Sequence, residues 1–393
     1  MADKALRFGV NYTPLRHWYY CWNDWDAKAV ADDFAAMSSL GIDHVRVQLI
    51  WPWFQPNPAW VSPAHLKRLA ELMQIADDYG CDVLLCLLTG FLSGHFFLPG
   101  RVTGQAVFLD QNVFESERLF AEAVLDCVGN HPRFMGLDLG NEINCLAHDL
   151  PPAEGDRWAR ELLAHIRAKH PGCLVVNGVD HGPWMMGTSF SPAHMANDYS
   201  TICVHAWPQF CQCITADAGL DALPSTELSA FFTQWVRLFE DDAGRLPVWI
   251  QEFGCCDLWG SLEQRRIYLE RGMRRAWEAG AQMFTFWCSH DKPRGASFHE
   301  YEYHYGLFDI RNRPKPLAGL YREMITELRS ARTVSPVYDA TLSIPHDFTP
   351  SDPPIPLGEW DRRTRENDFW HYYRRYLEML KDGGRVKLER GAE

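Results

Sequence analysis

The chain has 393 residues, nearly half of them apolar, with 38 basic against 51 acidic side chains and a formal net charge of −13. That length supplies a large buried core, in one big α/β domain or two ordinary ones. The acidic balance excludes the basic stripe of a nucleic-acid binder, and no apolar run approaches the roughly 18 residues of a membrane span.

The chain opens on Met1-Ala2-Asp3-Lys4, with no apolar export core before the first strand-like segment, so a cytoplasmic protein is expected. Short apolar runs then follow one another near residue 8 and over residues 43–50, 81–88, 134–139, 173–176, 201–204, 247–250 and 282–287. Runs of this kind are expected of parallel strands covered on both faces. Between them lie amphipathic helices. The clearest has Ser62 as N-cap and Pro63 at its first position, with Leu66, Leu69, Met73 and Ala76 on one face, and stops at Gly80. A second runs from about Thr226, with Leu228, Phe231, Phe232, Trp235 and Leu238 at helical spacing, and a third spans Ser261 to Gly280. Eight strand–helix units predict a (β/α)8 TIM barrel. A doubly wound open sheet is the rival, but no Gly-rich fingerprint follows the first strand.

Residues 331–393 read differently. A short strand over 341–344 precedes a proline-rich stretch over 345–356, and residues 359–381 form an amphipathic helix with Phe369, Tyr373, Tyr376 and Leu380 on one face. The chain therefore divides into a catalytic barrel over 1–330 and a C-terminal extension over 331–393. The aromatic stripe needs a partner. It is expected to pack on its own barrel, the alternative being a neighbouring subunit of a homo-oligomer, with the proline-rich arm as a stiff spacer.

In a barrel, reactive groups gather just past the carboxyl ends of strands. Those positions hold Trp51-Pro52-Trp53, Thr89-Gly90-Phe91 with His95 beyond, Gly140-Asn141-Glu142, His205-Ala206-Trp207, Gln251-Glu252-Phe253-Gly254 and Trp287-Cys288-Ser289-His290-Asp291. A lone glutamate there reads as a solvated loop acid. Glu142 and Glu252 facing each other across the mouth are what glycoside hydrolysis needs, one to protonate the leaving oxygen and one to attack the anomeric carbon or activate water. The 16 tryptophans, many beside turns, suit the flat apolar faces of sugars. This chemistry needs no metal or cofactor. The 12 cysteines show no framework spacing and are expected reduced and mostly buried. Cys211, Cys213, Cys255 and Cys256 fall in neighbouring loops but lack the Cys-x-x-Cys spacing usual for zinc.

Gly140-Asn141-Glu142 and Gln251-Glu252-Phe253-Gly254, with Arg46, His205, Trp287, Tyr305-Gly306-Leu307-Phe308-Asp309 and Arg313-Pro314-Lys315-Pro316, resemble glycoside hydrolase family 5 of clan A. The stretches Arg7-Phe8-Gly9-Val10-Asn11-Tyr12-Thr13-Pro14, Gly41-Ile42-Asp43-His44-Val45-Arg46 and Leu92-Ser93-Gly94-His95-Phe96-Phe97-Leu98-Pro99 are similar to its subfamily 18, which includes exo-acting β-mannosidases active on short β-mannosides such as mannose β-1,4-linked to N-acetylglucosamine. The resemblance implies Glu142 as acid/base and Glu252 as nucleophile of a retaining mechanism. It implies Asn141 on the sugar 2-hydroxyl, Arg46 beneath Glu252 and Trp287 as the stacking floor. Trp51, His95, His205 and Trp207 complete the expected substrate contacts, His205 reading equally well as a structural histidine. Two positions depart from the family pattern: Thr89-Gly90 stands where a histidine pair or His-Asn is common, and Trp207 where a tyrosine is common. The alternatives are an endo-β-mannanase or a β-glucosidase on the same scaffold, or a carbohydrate-binding protein without catalysis. The long loops over 89–112 and 288–312 favour a walled pocket and exo action.

Overall fold

The computed structural model describes residues 6–241, 246–296, 299–331, 336–350, 364–380 and 384–391. Eight strands, β1 (Arg7–Asn11), β2 (His44–Ile50), β3 (Asp82–Thr89), β4 (Phe134–Asn141), β5 (Leu174–Gly178), β6 (Ile202–His205), β7 (Val248–Phe253) and β8 (Ala281–Phe286), share one sheet. All neighbours pair in parallel, in the order β5-β4-β3-β2-β1-β8-β7-β6. The two ends of this ladder meet through Ser200, whose N–H donates to the Val175 carbonyl at 2.9 Å and whose Oγ accepts from the Val175 N–H at 3.0 Å. The sheet is thus a nearly closed barrel. β2 and β7 are buried at every position, which is why they read as continuous apolar runs broken only by the polar residues of the site.

Eight helices alternate with the strands: α1 (Ala27–Ser38), α2 (Pro63–Asp78), α3 (Gln111–Val128), α4 (Pro152–Lys169), α5 (Pro192–Asn197), α6 (Leu228–Trp235), α7 (Leu262–Glu278) and α8 (Pro316–Ser330). Their starts follow local chemistry. Ser62 accepts from the His65 N–H ahead of Pro63, and Ser261 with Gln264 forms a reciprocal capping box on α7. The helix expected from Thr226 is divided: a turn of helix at Leu223–Thr226 precedes α6.

Side chains fill the barrel in layers. Leu84, Val176, Cys203, Trp249 and Met283 form an apolar plug towards the amino ends of the strands. Above it lies a polar layer of Arg46, Asp138 and Gln251. Gly178 belongs there of necessity, since a Cβ would sit 2.5 Å from Asp138 Oδ2 and 2.6 Å from Gln251 Oε1. The mouth opens above that layer.

In the extension, strand β9 (Ala340–Ile344) pairs in parallel with β10 (Val386–Arg390), and helix α9 spans Asp368–Leu380. Strand β10 is a second partner that the sequence reading lacks. The expected start of the helix at 359 and the second half of the proline-rich arm, residues 351–356, lie outside the described residues. Phe369, Trp370, Tyr373, Tyr376, Leu377 and Leu380 are buried, with Tyr373 and Phe369 each 4.7 Å, ring to ring, from Phe231 and Phe232 of α6. The chain's own barrel therefore covers the aromatic stripe, and no partner subunit is needed to bury it. Among the described residues no helix is long and apolar enough to cross a membrane.

Candidate active site

Strand β4 ends in a sharp turn. Glu142 has φ 42° and ψ 44°, in the left-handed region that costs a side-chain-bearing residue energy, and its N–H is tied to the Gly178 carbonyl at 2.7 Å. This places Glu142 at the mouth. Glu252, within β7, lies across from it. One oxygen of each carboxyl group and a ring nitrogen of His205 all lie within 4.8 Å of one another.

The two carboxyl groups are held differently. Glu252 Oε1 accepts from Arg46 Nη1 at 2.7 Å and Oε2 from the Trp207 indole at 3.2 Å. Arg46 is wholly buried; it also donates to Asn11 Oδ1 at 3.1 Å and, through Nε, to Asp138 Oδ2 at 2.9 Å. Asp138 in turn accepts from the Gly178 N–H at 2.8 Å and Gln251 Nε2 at 3.0 Å. With its amide nitrogen committed to Asp138, Gln251 offers its oxygen to His205 Nε2 at 3.0 Å, so Nε2 carries the ring proton. His205 Nδ1 then faces Glu142 Oε1 at 2.9 Å and Glu252 Oε2 at 3.5 Å. Burial lowers the pKa of His205, so Nδ1 is a lone-pair acceptor, and a good hydrogen bond to it requires a proton on Glu142.

Burial pushes the pKa of Glu142 up to about 8, with the Asp180 charge adding to the rise. Burial also raises that of Glu252, to about 7, against the opposing pull of Arg46 and the Trp207 hydrogen bond. Glu252 therefore ionises first. A single guanidinium facing Asp138 and two glutamates favours one ionised glutamate over two. Glu142, His205 and Glu252 are donor types a divalent cation accepts, but the Arg46 charge, bonded directly to Glu252, opposes one.

A cavity of ≈ 340 Å³ opens onto this pair, with Asn141, Trp207 and Trp287 in its wall. The Trp207 and Trp287 rings meet edge to face at 6.4 Å, and the Trp287-Cys288 peptide is cis. Asn141 is fixed by its neighbours, accepting from Gln48 Nε2 at 3.3 Å and donating to the Phe91 carbonyl at 3.0 Å. Thr89, where the family pattern has histidine, donates to Gln48 Oε1 at 2.9 Å and so supports Asn141 from behind.

Three expected contacts do not line the cavity: His205 is fully buried beside the two glutamates as a structural histidine, and two others lie elsewhere. Trp51 is fully buried and donates to Gln55 Oε1 at 2.8 Å; Pro52 starts a helical turn, Trp51–Phe54, that takes the indole away from the cavity. His95 sits in a small hairpin formed by Phe91–Leu92 and His95–Phe96, its ring against Trp18 and Phe97, so that the hairpin tip, Ser93 and Gly94, lines the cavity instead. Among the described residues, Cys211, Cys213, Cys255 and Cys256 are buried free thiols that do not converge as a metal site. The sequence reading missed Asp180 and His181, both in the cavity wall. The strand-end rule applied to β5 reaches them directly. It also missed Glu302, from the loop after β8, whose signal is only the length of that loop.

No family profile and no curated protein matches the chain by sequence. Solved structures do. A GH5_18 protein (glycoside hydrolase family 5, subfamily 18) from Bifidobacterium longum subsp. infantis is 27% identical, with a TM-score of 0.84 over 98% of this chain and 92% of its own. A variant of GH5_18 from Streptomyces cattleya, solved in complex with Manβ1-4GlcNAc, is 26% identical, with a TM-score of 0.86 over 98% of this chain and 94% of its own. Exo-beta-1,4-mannosidase Op5Man5 from Opitutaceae bacterium strain TAV5, 24% identical, shares the fold with a TM-score of 0.82 over 99% of this chain and 70% of its own. With a nearly closed parallel barrel, two glutamates at its mouth and these likenesses over almost its whole length, the protein is a glycoside hydrolase. Within that class it resembles family 5, subfamily 18.

Proposed function

We propose that the protein is a retaining, exo-acting β-mannosidase that hydrolyses short β-mannosides such as mannose β-1,4-linked to N-acetylglucosamine. The observation that carries the mechanism is the closeness of the two carboxyl groups, one oxygen of each lying within 4.8 Å of the other. Retaining enzymes place them about 5–5.5 Å apart, whereas inverting enzymes leave about 6.5–9.5 Å for a water. The sugar assignment rests on the likeness to the protein solved with Manβ1-4GlcNAc.

In this reading Glu142 gives its proton to the glycosidic oxygen while Glu252 attacks the anomeric carbon, forming a covalent glycosyl-enzyme as the leaving group departs. Esterified Glu252 no longer carries charge, so Glu142 holds an anion more readily. It then takes a proton from water, which attacks the anomeric carbon and frees Glu252. Arg46 and Trp207 hold both nucleophile oxygens in place, and neutral His205 keeps the acid aimed. Asn141 binds the 2-hydroxyl and Trp287 carries the sugar face. Asp180 and His181, on the Glu142 side of the cavity, face the leaving group. Catalysis is assigned to the barrel over 1–330, with residues 331–393 as an extension.

A screen of aryl β-glycosides differing only in the sugar tests this. The β-mannoside should be cleaved with the highest kcat/KM, and the first-released sugar should be β-mannose by NMR. A higher kcat/KM on the β-glucoside, or α-mannose as first product, would overturn the reading.

A further inference from the structure

Lys292 and Glu302, both from the segment joining β8 to α8, form an ion pair beside the site that the mechanism above leaves unused. Lys292 Nζ donates to Glu302 Oε2 and reaches the Glu302 carbonyl at 3.4 Å. Their side chains are 1% and 9% exposed. An ion pair this dry gains little over apolar packing, because desolvation cancels most of the attraction. Its placement is more informative than its energy. Glu302 lines the cavity and Lys292 does not, so the cation stands behind the carboxylate. There Nζ lies 5.7 Å from the ring centre of Trp287 and 5.9 Å from that of Trp18, within the range of cation–π attraction. One ammonium thus locks the stacking floor and the carboxylate together.

A carboxylate only accepts hydrogen bonds, and it has about four acceptor directions. Lys292 takes up one at Oε2, and the residue lines a cavity whose ligand can supply donors to the others. A sugar ring lying on Trp287 supplies hydroxyl groups. We propose that Glu302 is a specificity-determining residue that accepts a hydrogen bond from a hydroxyl of the glycone at its 3, 4 or 6 position, with Lys292 as its positioning residue. This rests on the glycosidase reading but not on the identity of the sugar.

The test uses the full chain and the aryl glycoside that the wild type hydrolyses best, together with its 3-deoxy, 4-deoxy and 6-deoxy forms. A site built to bind a hydroxyl strongly rejects the analogue lacking it, so one deoxy form should lose at least about 100-fold in wild-type kcat/KM. Glu302→Gln should lose a comparable factor on the parent substrate. On that one deoxy form, however, it should fall within about threefold of the wild type, because the contact is already gone. Glu302→Asp keeps the charge on Lys292 and should show the same selective narrowing, so misfolding of the Gln variant does not shield the proposal. Equal losses on the parent and all three deoxy forms would overturn it. A best substrate other than the β-mannoside counts against the mannosidase reading alone.

Discussion

Around Arg46, the hydrogen bonds to charged and amide groups dominate. Asn11, Asp138 and Glu252 each take one of its N–H groups, and Gln251 and His205 extend the chain of hydrogen bonds to Glu142. Between α6 and α9, Phe231, Phe232, Trp235, Phe369 and Tyr373 meet ring to ring, with a few peripheral hydrogen bonds such as Tyr373 Oη to the Pro224 carbonyl at 2.6 Å. The two regions are equally dry, since Arg46, Asp138, Phe369 and Tyr373 are all fully buried. In the first, burial raises the energy of charges and makes them responsive to one another. In the second, burial is itself the source of stability. Changes in the barrel mouth should therefore register as chemistry, and changes in the tail as stability.

The largest effect tests the first half of that contrast. Glu252→Ala should lose about 10⁵-fold or more in kcat, and added azide should restore turnover by attacking the open anomeric face. Glu142→Ala should fall by about 10²–10⁴-fold on substrates with poor leaving groups and far less on dinitrophenyl glycosides, which need little protonation. If azide rescues Glu142→Ala with an inverted, α-configured glycosyl azide as product, the two roles are exchanged.

A smaller effect sharpens the electrostatic side. The active form has Glu252 ionised and Glu142 protonated. As pH rises, kcat/KM should therefore increase through the Glu252 ionisation at about 7 and decrease through that of Glu142 at about 8, giving a narrow bell. A broad plateau from pH 5 to 8 would show the carboxyl groups to be less desolvated than their surroundings imply.

The smallest effect on catalysis belongs to the tail. Phe369→Ala should cost about 3–5 kcal/mol of stability by opening a cavity among aromatic rings, read as a lower Tm, while kcat below that temperature stays unchanged. A large fall in kcat without a fall in Tm would break the comparison.

What could be read in advance follows the same division. The strands and both glutamates were visible because strand ends are short-range features: an apolar run stops and Asn141-Glu142 or Gln251-Glu252 follows. Trp51 was misplaced because the local signal, an aromatic past a strand, does not say which way a proline-started turn will aim it. His95 was displaced by the hairpin, whose register depends on partners in sequence too short to show a period. Lys292 and Glu302 meet across a ten-residue loop separation, and nothing in either neighbourhood announces the other. Among the described residues strand β10 pairs with β9, 46 positions away by the Ala340–Val386 register, and its alternating Val386-Lys387-Leu388-Glu389 resembles an exposed charged stretch until its partner is known. For α9, the stripe was evident but its surface was not, since α6 lies more than a hundred residues upstream.

The indole nitrogen of Trp370 on α9 donates to the Cys211 carbonyl at 3.1 Å, and Cys211 closes the turn begun by Trp207, its N–H bonded to the Trp207 carbonyl at 2.8 Å. The tail thus grips the back of the loop whose front edge holds the nucleophile. By thermodynamic reciprocity, whatever free energy a bound sugar gains from the tail's hold on this loop is returned as a tighter hold on Trp370. Occupancy of the mouth becomes readable at the far end of the chain, as slower amide hydrogen exchange along α9.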